Sequence, residues 1–443
     1  MKKICVLGLG YIGLPTASLF ATHGHQVVGV DVRPRVLETL NHGSVHIEEP
    51  GLKTIVQAAL RSGNLVVRPV PEPADVFIIA VPTPLVGRPD EGESPIGNCD
   101  DQETDLQQAS LSFVCGAAES ILPHLSRGCL VVLESTSPPG TTARLVAPLL
   151  ERSGLRAGID FRLAYCPERV LPGRILEELV RNNRIIGGIE PQSAEEACEL
   201  YRAFVEGEIF TTDALTAEMV KLMENTFRDV NIALANEFAR LAEQLGLDVW
   251  QAIDLANRHP RVRILKPGPG VGGHCIAVDP WFIAEAAPDL TPLIQTARRV
   301  NDAMPRHVVE LVRGACPPSA AGARTVVACL GLSYKADVDD VRESPALAVI
   351  DLLESQGYAV QAYDPHVRPG TRSCQVGSLD SALDGAAVVV ILTDHADFRR
   401  LRPEQFVGAR GAVLVDTRNA LGRDLWEASG WHVIRLGDGS ARD

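Results

Sequence analysis

KICVLGLGYIGLPTA, residues 3–17, decides the fold. A short apolar run ends at Leu7, three glycines follow at 8, 10 and 13, and a helix-forming segment begins at once. That is strand, tight turn, helix: the first glycine permits the turn, the second lets a pyrophosphate approach the backbone, and the third allows close helix packing. The run HQVVGVD supplies the next strand and ends in Asp31, about 20 residues further on, where a carboxylate would meet the adenosine ribose hydroxyls and repel a 2′-phosphate. The spacing predicts a dinucleotide site that prefers NAD to NADP. Arg33 and Arg35 work against that preference, because a nearby arginine accommodates such a phosphate.

Working outward, ADVFIIAVPTP, GCLVVLEST and FRLAYCPE read as further buried parallel strands, with helical patterns such as PTASLFATHG between strands. Thr83 and Thr136 sit just past strand ends, where open α/β sheets bind ligands. From Thr216 to Gly246 the chain is helix-forming without a proline, roughly 45 Å of helix at 1.5 Å per residue. Apolar residues occur around much of it, so it is expected to span domains or pack against a second subunit. GACPPSAAGAR, residues 314–324, reads as a linker. The α/β rhythm then restarts in TVVACLGL, SPALAVIDLLESQG, YAVQAYDP, AAVVVILTDH and AVLVDTRN. The expected fold is α/β, two Rossmann-like doubly wound parallel-sheet domains joined by a long central helix or helical domain. The expected boundaries are 1–212, a central helical domain 213–313 for dimerisation and catalysis, the linker 314–324, and 325–443.

A chain of 443 residues is too long for one core, and its 46% hydrophobic and 22% charged content is that of a globular protein. The net charge of −14 gives no basic footprint for nucleic acid. Residues 1–21 superficially resemble a secretory leader, but the glycines break the apolar run and Asp31 continues the strand logic. No other stretch reaches the roughly 18 apolar residues of a membrane span, so a cytoplasmic protein is expected. The ten cysteines show no metal-ligand spacing, and no metal or disulfide is expected. Cys5, Cys129 and Cys329 read as small buried hydrophobes.

Cys275 differs, because it follows the glycine-rich turn of GPGVGGHCIAVDPWF, residues 268–282. Asp279 comes four residues later and, before Pro280, also reads as a helix N-cap. His274 is adjacent, though neighbouring side chains seldom point together. Lys221, Asn225 and Arg228 fall at i, i+4 and i+7 of the long helix and share a face; such a stripe is either solvated or, embedded among apolar residues, an acid–base lysine with polar company. Glu168 in YCPERVLPG follows a strand end and is either a surface carboxylate or a group that activates water.

GPGVGGHCIAVDPWF, CPERVLPG, EMVKLMENTFRDVN, NRHPRVRIL and GLSYKADVDDVRESPA, in this order after GLGYIGLPTA, resemble the UDP-glucose/GDP-mannose dehydrogenase family over nearly the whole chain. The resemblance implies a four-electron oxidation in which two NAD are reduced and the C6 alcohol of a UDP-sugar becomes a carboxylate, a precursor for cell-surface polysaccharide. It implies Cys275 as nucleophile, Lys221 as acid/base, Asp279 as its partner and Glu168 as the water-activating group. On the substrate side it implies Arg169, Val170, Lys221, Asn225, Arg228, His259, Arg261, Gly272, Tyr334, Lys335 and Arg418. On the cofactor side it implies Gly8, Gly10, Tyr11, Ile12, Gly13, Asp31, Thr83, Thr136 and Arg342. A homodimer, with His259 or Arg261 reaching the partner's site, is implied as well.

The chain departs from the family at Pro172, where UDP-glucose enzymes carry a second glutamate. That favours a 2-acetamido sugar over glucose, and the resemblance itself implies UDP-N-acetyl-D-mannosamine ahead of UDP-N-acetylglucosamine or UDP-glucose. Arg88 to Asp105 forms a longer, more acidic loop than is usual, and Arg418 stands where relatives often have lysine. Two other classes compete: a two-electron hydroxyacid-type dehydrogenase, which needs no cysteine, and a non-catalytic nucleotide-binding redox sensor built on Cys275.

Overall fold

A computed structural model describes residues 1–87, 106–319, 324–409, 411 and 413–439. The acidic loop 88–105 and part of the expected linker, 320–323, lie outside the described residues. The chain forms two compact units, one chiefly Met1–Val86 and Gln107–Glu224 with Trp281–Ala287, the other chiefly Asn225–Pro280 and Pro288–Asp443.

The first unit is built on an eight-stranded sheet: β1 (Lys3–Leu7), β2 (Gln26–Val30), β3 (Leu65–Arg68), β4 (Val76–Ile79), β5 (Leu130–Leu133), β6 (Arg162–Tyr165), β7 (Arg184–Gly188) and β8 (Ile209–Asp213). Their order, 3-2-1-4-5-6-7-8, opens with that of a dinucleotide-binding sheet. Successive side chains of a strand point to opposite faces, so an apolar run must bury both. Ile4, Val6, Ile78 and Val132 enter one core, while Cys5, Leu7, Phe77, Ile79, Val131 and Leu133 enter the other. The five strands read from the sequence here are all present and pair in parallel. The sheet is not parallel throughout, because β7 meets β6 antiparallel through Ala164↔Gly188 and Tyr165↔Gly187.

In the second unit β9 (Val326–Leu330), β10 (Ala359–Tyr363), β11 (Val388–Ile391), β12 (Val413–Asp416) and β13 (His432–Arg435) form a parallel sheet of order 10-9-11-12-13. This is the flavodoxin-like doubly wound order, with its switch point beside β9. Val327, Cys329, Val388 and Val390 face one core and Ala328, Leu330, Val389 and Ile391 the other. The first of these cores also takes Ala235, Ala239 and Ala242 from the long helix Ala214–Leu245, and Met304, Val308 and Val312 from helix Pro292–Ala315. With Val249–Ala256 and Asp279–Ala286, these helices make up the central helical region. No helix among the described residues is long and apolar enough to cross a membrane.

Candidate active site

At the end of β1 the three glycines meet the geometry a dinucleotide needs. Gly8 has φ +92°, and a Cβ there would come within 2.5 Å of the Ala80 carbonyl oxygen; at Gly13 a Cβ would collide with the Gly8 carbonyl. A Cβ on Gly10 would meet nothing within 4 Å, so the turn is packed on both sides and open in its middle, where a phosphate would approach. Tyr11 and Ile12 follow at the helix start and are half-buried. Asp31, one residue past β2, is 5% exposed and accepts from the Leu9 N–H at 3.1 Å. Arg33 grips both its oxygens, each at 3.1 Å. Burial pushes the Asp31 pKa up, but the Arg33 and Leu9 donors outweigh it and leave the carboxyl below its ordinary range. Past β4 and β5, the Thr83 hydroxyl donates to the Thr136 carbonyl at 2.7 Å. The following turn is held from the long helix: buried Glu218 accepts from the Gly140 N–H at 2.5 Å and the Thr142 N–H at 2.7 Å. These residues fit a bound NAD.

Glu168 lies beyond β6 and is buried, paired with Arg184 from the start of β7. Its neighbour Arg169 donates to Glu224 at 3.0 Å, and Val170 packs on the first core. Arg184, Glu134 and Tyr201, which surround Glu168 from behind, were missed in the sequence. The one available signal was a pair of charges, at the first residue of RIIGG and just after LVVL. Lys221, on the long helix, is 7% exposed, so this lysine is embedded rather than solvated.

In the second unit the glycines before Cys275 have a partner. Cβ atoms on Gly272 and on Gly273 (φ +86°) would each come within 2.8 Å of Tyr334 side-chain atoms, so only glycine lets this aromatic ring lie on the loop backbone. The Arg342 carbonyl accepts from the Gly273 N–H at 3.1 Å, tying the loop to the YKADVDDVRES segment. Cys275 emerges exposed. The Asp279 N–H donates to the Cys275 carbonyl at 2.8 Å, and the Asp279 carboxylate accepts from Asn225 at 2.5 Å. Arg228 donates to the Asn225 amide oxygen, so Cys275, Asp279, Asn225 and Arg228 form one chain of contacts. Burial, helped by the charge of Arg342, lowers the His274 pKa to about 4 and makes it a weak base at neutral pH.

Tyr334 and Lys335 follow β9, and Arg418 follows β12, all past the strand ends where such sheets bind ligands. Arg418 is held by Asp394 at 3.1 Å and lies against Gly268. Arg342 pairs with Asp340 at 2.7 Å. His259 and Arg261 are exposed and bonded to one another, the Arg261 N–H donating to His259 Nδ1 at 3.3 Å. Their loop is closed by Asn257, which bonds both backbone groups of Ile264 at 3.0 and 2.7 Å. Among the described residues Asp337, His366 and His395 bring ligand atoms within 4.8 Å of one another. Both nitrogens of His395 are already used, Nδ1 by the Asp337 N–H at 2.9 Å and Nε2 by Asp364 at 3.0 Å, so the cluster reads as a loop tether.

Residues 2–205 match the NAD binding domain of the UDP-glucose/GDP-mannose dehydrogenase family, residues 215–303 its central domain and residues 328–423 its UDP binding domain. The chain is 47% identical to a UDP-N-acetyl-D-mannosamine dehydrogenase of Methanocaldococcus jannaschii, covering 99% of this chain and 97% of that one. It is 46% identical to an NDP-N-acetyl-D-galactosaminuronic acid dehydrogenase of Ralstonia nicotianae, over 96% and 97%. The solved UDP-N-acetyl-D-mannosamine dehydrogenase of Pyrococcus horikoshii superposes with a TM-score of 0.88 at 44% identity, covering 99% of both chains.

Proposed function

Because the chain belongs to the UDP-glucose/GDP-mannose dehydrogenase family, an NAD-dependent group of nucleotide-sugar oxidoreductases, we propose that it oxidises UDP-N-acetyl-D-mannosamine at C6 to UDP-N-acetyl-D-mannosaminuronate. The observation that carries the reading is the exposed Cys275 on a glycine turn, anchored to the Asp279–Asn225–Arg228 chain. NAD supplies the hydride acceptor, so that one alcohol, two NAD and one water give one carboxylate, two NADH and three protons.

Lys221 takes the hydroxyl proton as the first hydride leaves, giving an aldehyde. An aldehyde has one C–H left but no electron pair to expel it, so the Cys275 thiolate adds to its carbon and forms a thiohemiacetal. Loss of the second hydride turns this into a thioester. Glu168 takes a proton from water, the hydroxide equivalent attacks the thioester, the C–S bond breaks and Cys275 leaves as thiolate. Asp279 and Asn225 hold the polar environment of this exchange. Arg169, Val170, Asn225, Arg228, Gly272, Tyr334, Lys335 and Arg418 bind the UDP-sugar, and Gly8, Gly10, Tyr11, Ile12, Gly13, Asp31, Thr83, Thr136 and Arg342 serve the cofactor.

The enzyme acts as a homodimer in the cytoplasm and feeds cell-surface polysaccharide synthesis. The dimer is supported by Met223, Phe227, Leu234, Phe238, Leu241 and Leu245, all exposed on the long helix. At 100° per residue they fall within an arc of about 60°. His259 and Arg261, exposed on one subunit, then complete the partner's site.

A second reading, a 2-acetamido sugar of galacto configuration, has the Ralstonia relative behind it. Incubating the enzyme with NAD and each UDP-sugar separately tests both. The mannosamine sugar should give two NADH per acid; turnover of only the galacto sugar, or one NADH per substrate, would contradict the proposal.

A further inference from the structure

Behind Glu168 is a buried set of ionisable groups to which the reaction above assigns no task. Arg184 is 4% exposed, and its guanidinium meets groups from three other elements. It pairs with Glu168 beyond β6 and lies 3.8 Å from Glu134 beyond β5. It donates to Cys166 Sγ at 3.4 Å and sits 4.5 Å from the ring centroid of Tyr201, at the end of helix Pro191–Tyr201. The Tyr201 hydroxyl donates to Glu134 Oε1 at 2.5 Å.

One cation therefore faces two carboxylates, and all three groups are buried. Two ionised carboxylates would leave a net buried charge, and a buried charge without a partner costs far more than a proton on one of them. Glu134 takes that proton: burial and the charge of Glu168 push its pKa up to about 8, against the pull of Arg184 and the Tyr201 hydroxyl. Arg184 is left to Glu168. It holds Oε1, while among the described residues Oε2 has a long contact, 3.3 Å, from the Arg169 N–H. One oxygen of the carboxylate is thus clamped and the other left to receive a proton.

We propose that Arg184 and Glu134 are positioning residues for Glu168, Arg184 by fixing the carboxylate and Glu134 by withholding a second negative charge from the guanidinium. The inference rests on Glu168 being the group that activates water for thioester hydrolysis. Groups that hold a reacting side chain in place decide whether its geometry is productive.

The test uses the full-length enzyme with NAD and UDP-N-acetyl-D-mannosamine, quenched in acid and weighed intact. Glu168→Gln should accumulate the acyl-enzyme on Cys275, because hydrolysis stalls after two hydrides have left. Arg184→Met should accumulate the same adduct and slow acid release by at least about tenfold, with the first-turnover NADH burst and the KM for NAD unchanged. Arg184→Lys should restore part of the loss, since lysine returns the charge without the planar fork. Above about pH 8 the ionised Glu134 competes for Arg184, so acid release in the wild type should fall relative to Glu134→Gln, which has no proton to lose. An adduct in Glu168→Gln but none in Arg184→Met overturns the inference and leaves the base in place. An adduct in neither overturns the role of Glu168 itself. Should Arg184→Met fail to fold, wild-type hydrolysis in Arg184→Lys together with a wild-type pH profile in Glu134→Gln overturns the inference.

Discussion

Glu134 carries a consequence for stability as well as for the reaction. Its pKa is about 8 in the folded chain against 4.5 for an ordinary glutamate, so between those values the folded state holds a proton that the unfolded state has released. Stability is then full below about pH 4.5, declines as pH rises and levels off above about 8. Glu134→Gln removes this linkage, so thermal unfolding between about pH 5 and 8 should show a shallower decline in Tm than the wild type; parallel slopes would mean Glu134 is ionised when folded. Asp31 makes a second prediction. Because Arg33 grips both its oxygens, that arginine is committed to the carboxylate rather than offered to a 2′-phosphate. NAD should exceed NADP by at least about tenfold in kcat/KM, and Asp31→Asn should narrow the ratio; equal values in the wild type would count against the assignment. At this scale the sequence makes Cys275 and Asp31 visible because glycines and strand ends mark them. Arg184 and Glu134 stay hidden because they meet only when β5, β6 and β7 come together, over residues 134 to 201.

Among the elements, the long helix was the most legible: Thr216 to Gly246 was read, and Ala214–Leu245 forms. Its length without proline or glycine encodes it locally. The antiparallel meeting of β6 and β7 was not legible, because an apolar run says that a strand is buried and nothing about which way its neighbour runs. The exposed stripe from Met223 to Leu245 yields an element-scale prediction. An exposed apolar row of this length calls for a partner. If the proposed dimer forms and shares its sites, Phe227→Glu with Leu241→Lys should convert it to a monomer in sedimentation at assay concentration and reduce acid formation by at least about tenfold. A fully active monomer would contradict both the interface and the shared site.

For the whole molecule, the two strand orders put the candidate residues past strand ends: Asp31, Thr83, Thr136 and Glu168 in the first unit, Tyr334, Lys335 and Arg418 in the second. Parallel sheets bind ligands at those ends; the strand ends led to the first set, whereas the family resemblance supplied Tyr334, Lys335 and Arg418. With a net charge of −14 an anionic ligand depends on local cations, which the second unit offers in Lys335 and Arg418. In the proposed reaction one thiol carries the substrate from aldehyde to acid. Cys275→Ser tests it directly. A hydroxyl is far less ionised than a thiol near neutral pH, adds poorly to an aldehyde and leaves poorly from an ester. The variant should still bind NAD and the UDP-sugar, and it should still allow the first hydride transfer. Because a bound aldehyde can revert, NADH is a poor readout and the sugar acid should be quantified by mass spectrometry. Acid formation should fall by at least about a hundredfold with both binding affinities retained; near-normal acid formation would contradict the covalent route and return Cys275 to an ordinary surface residue.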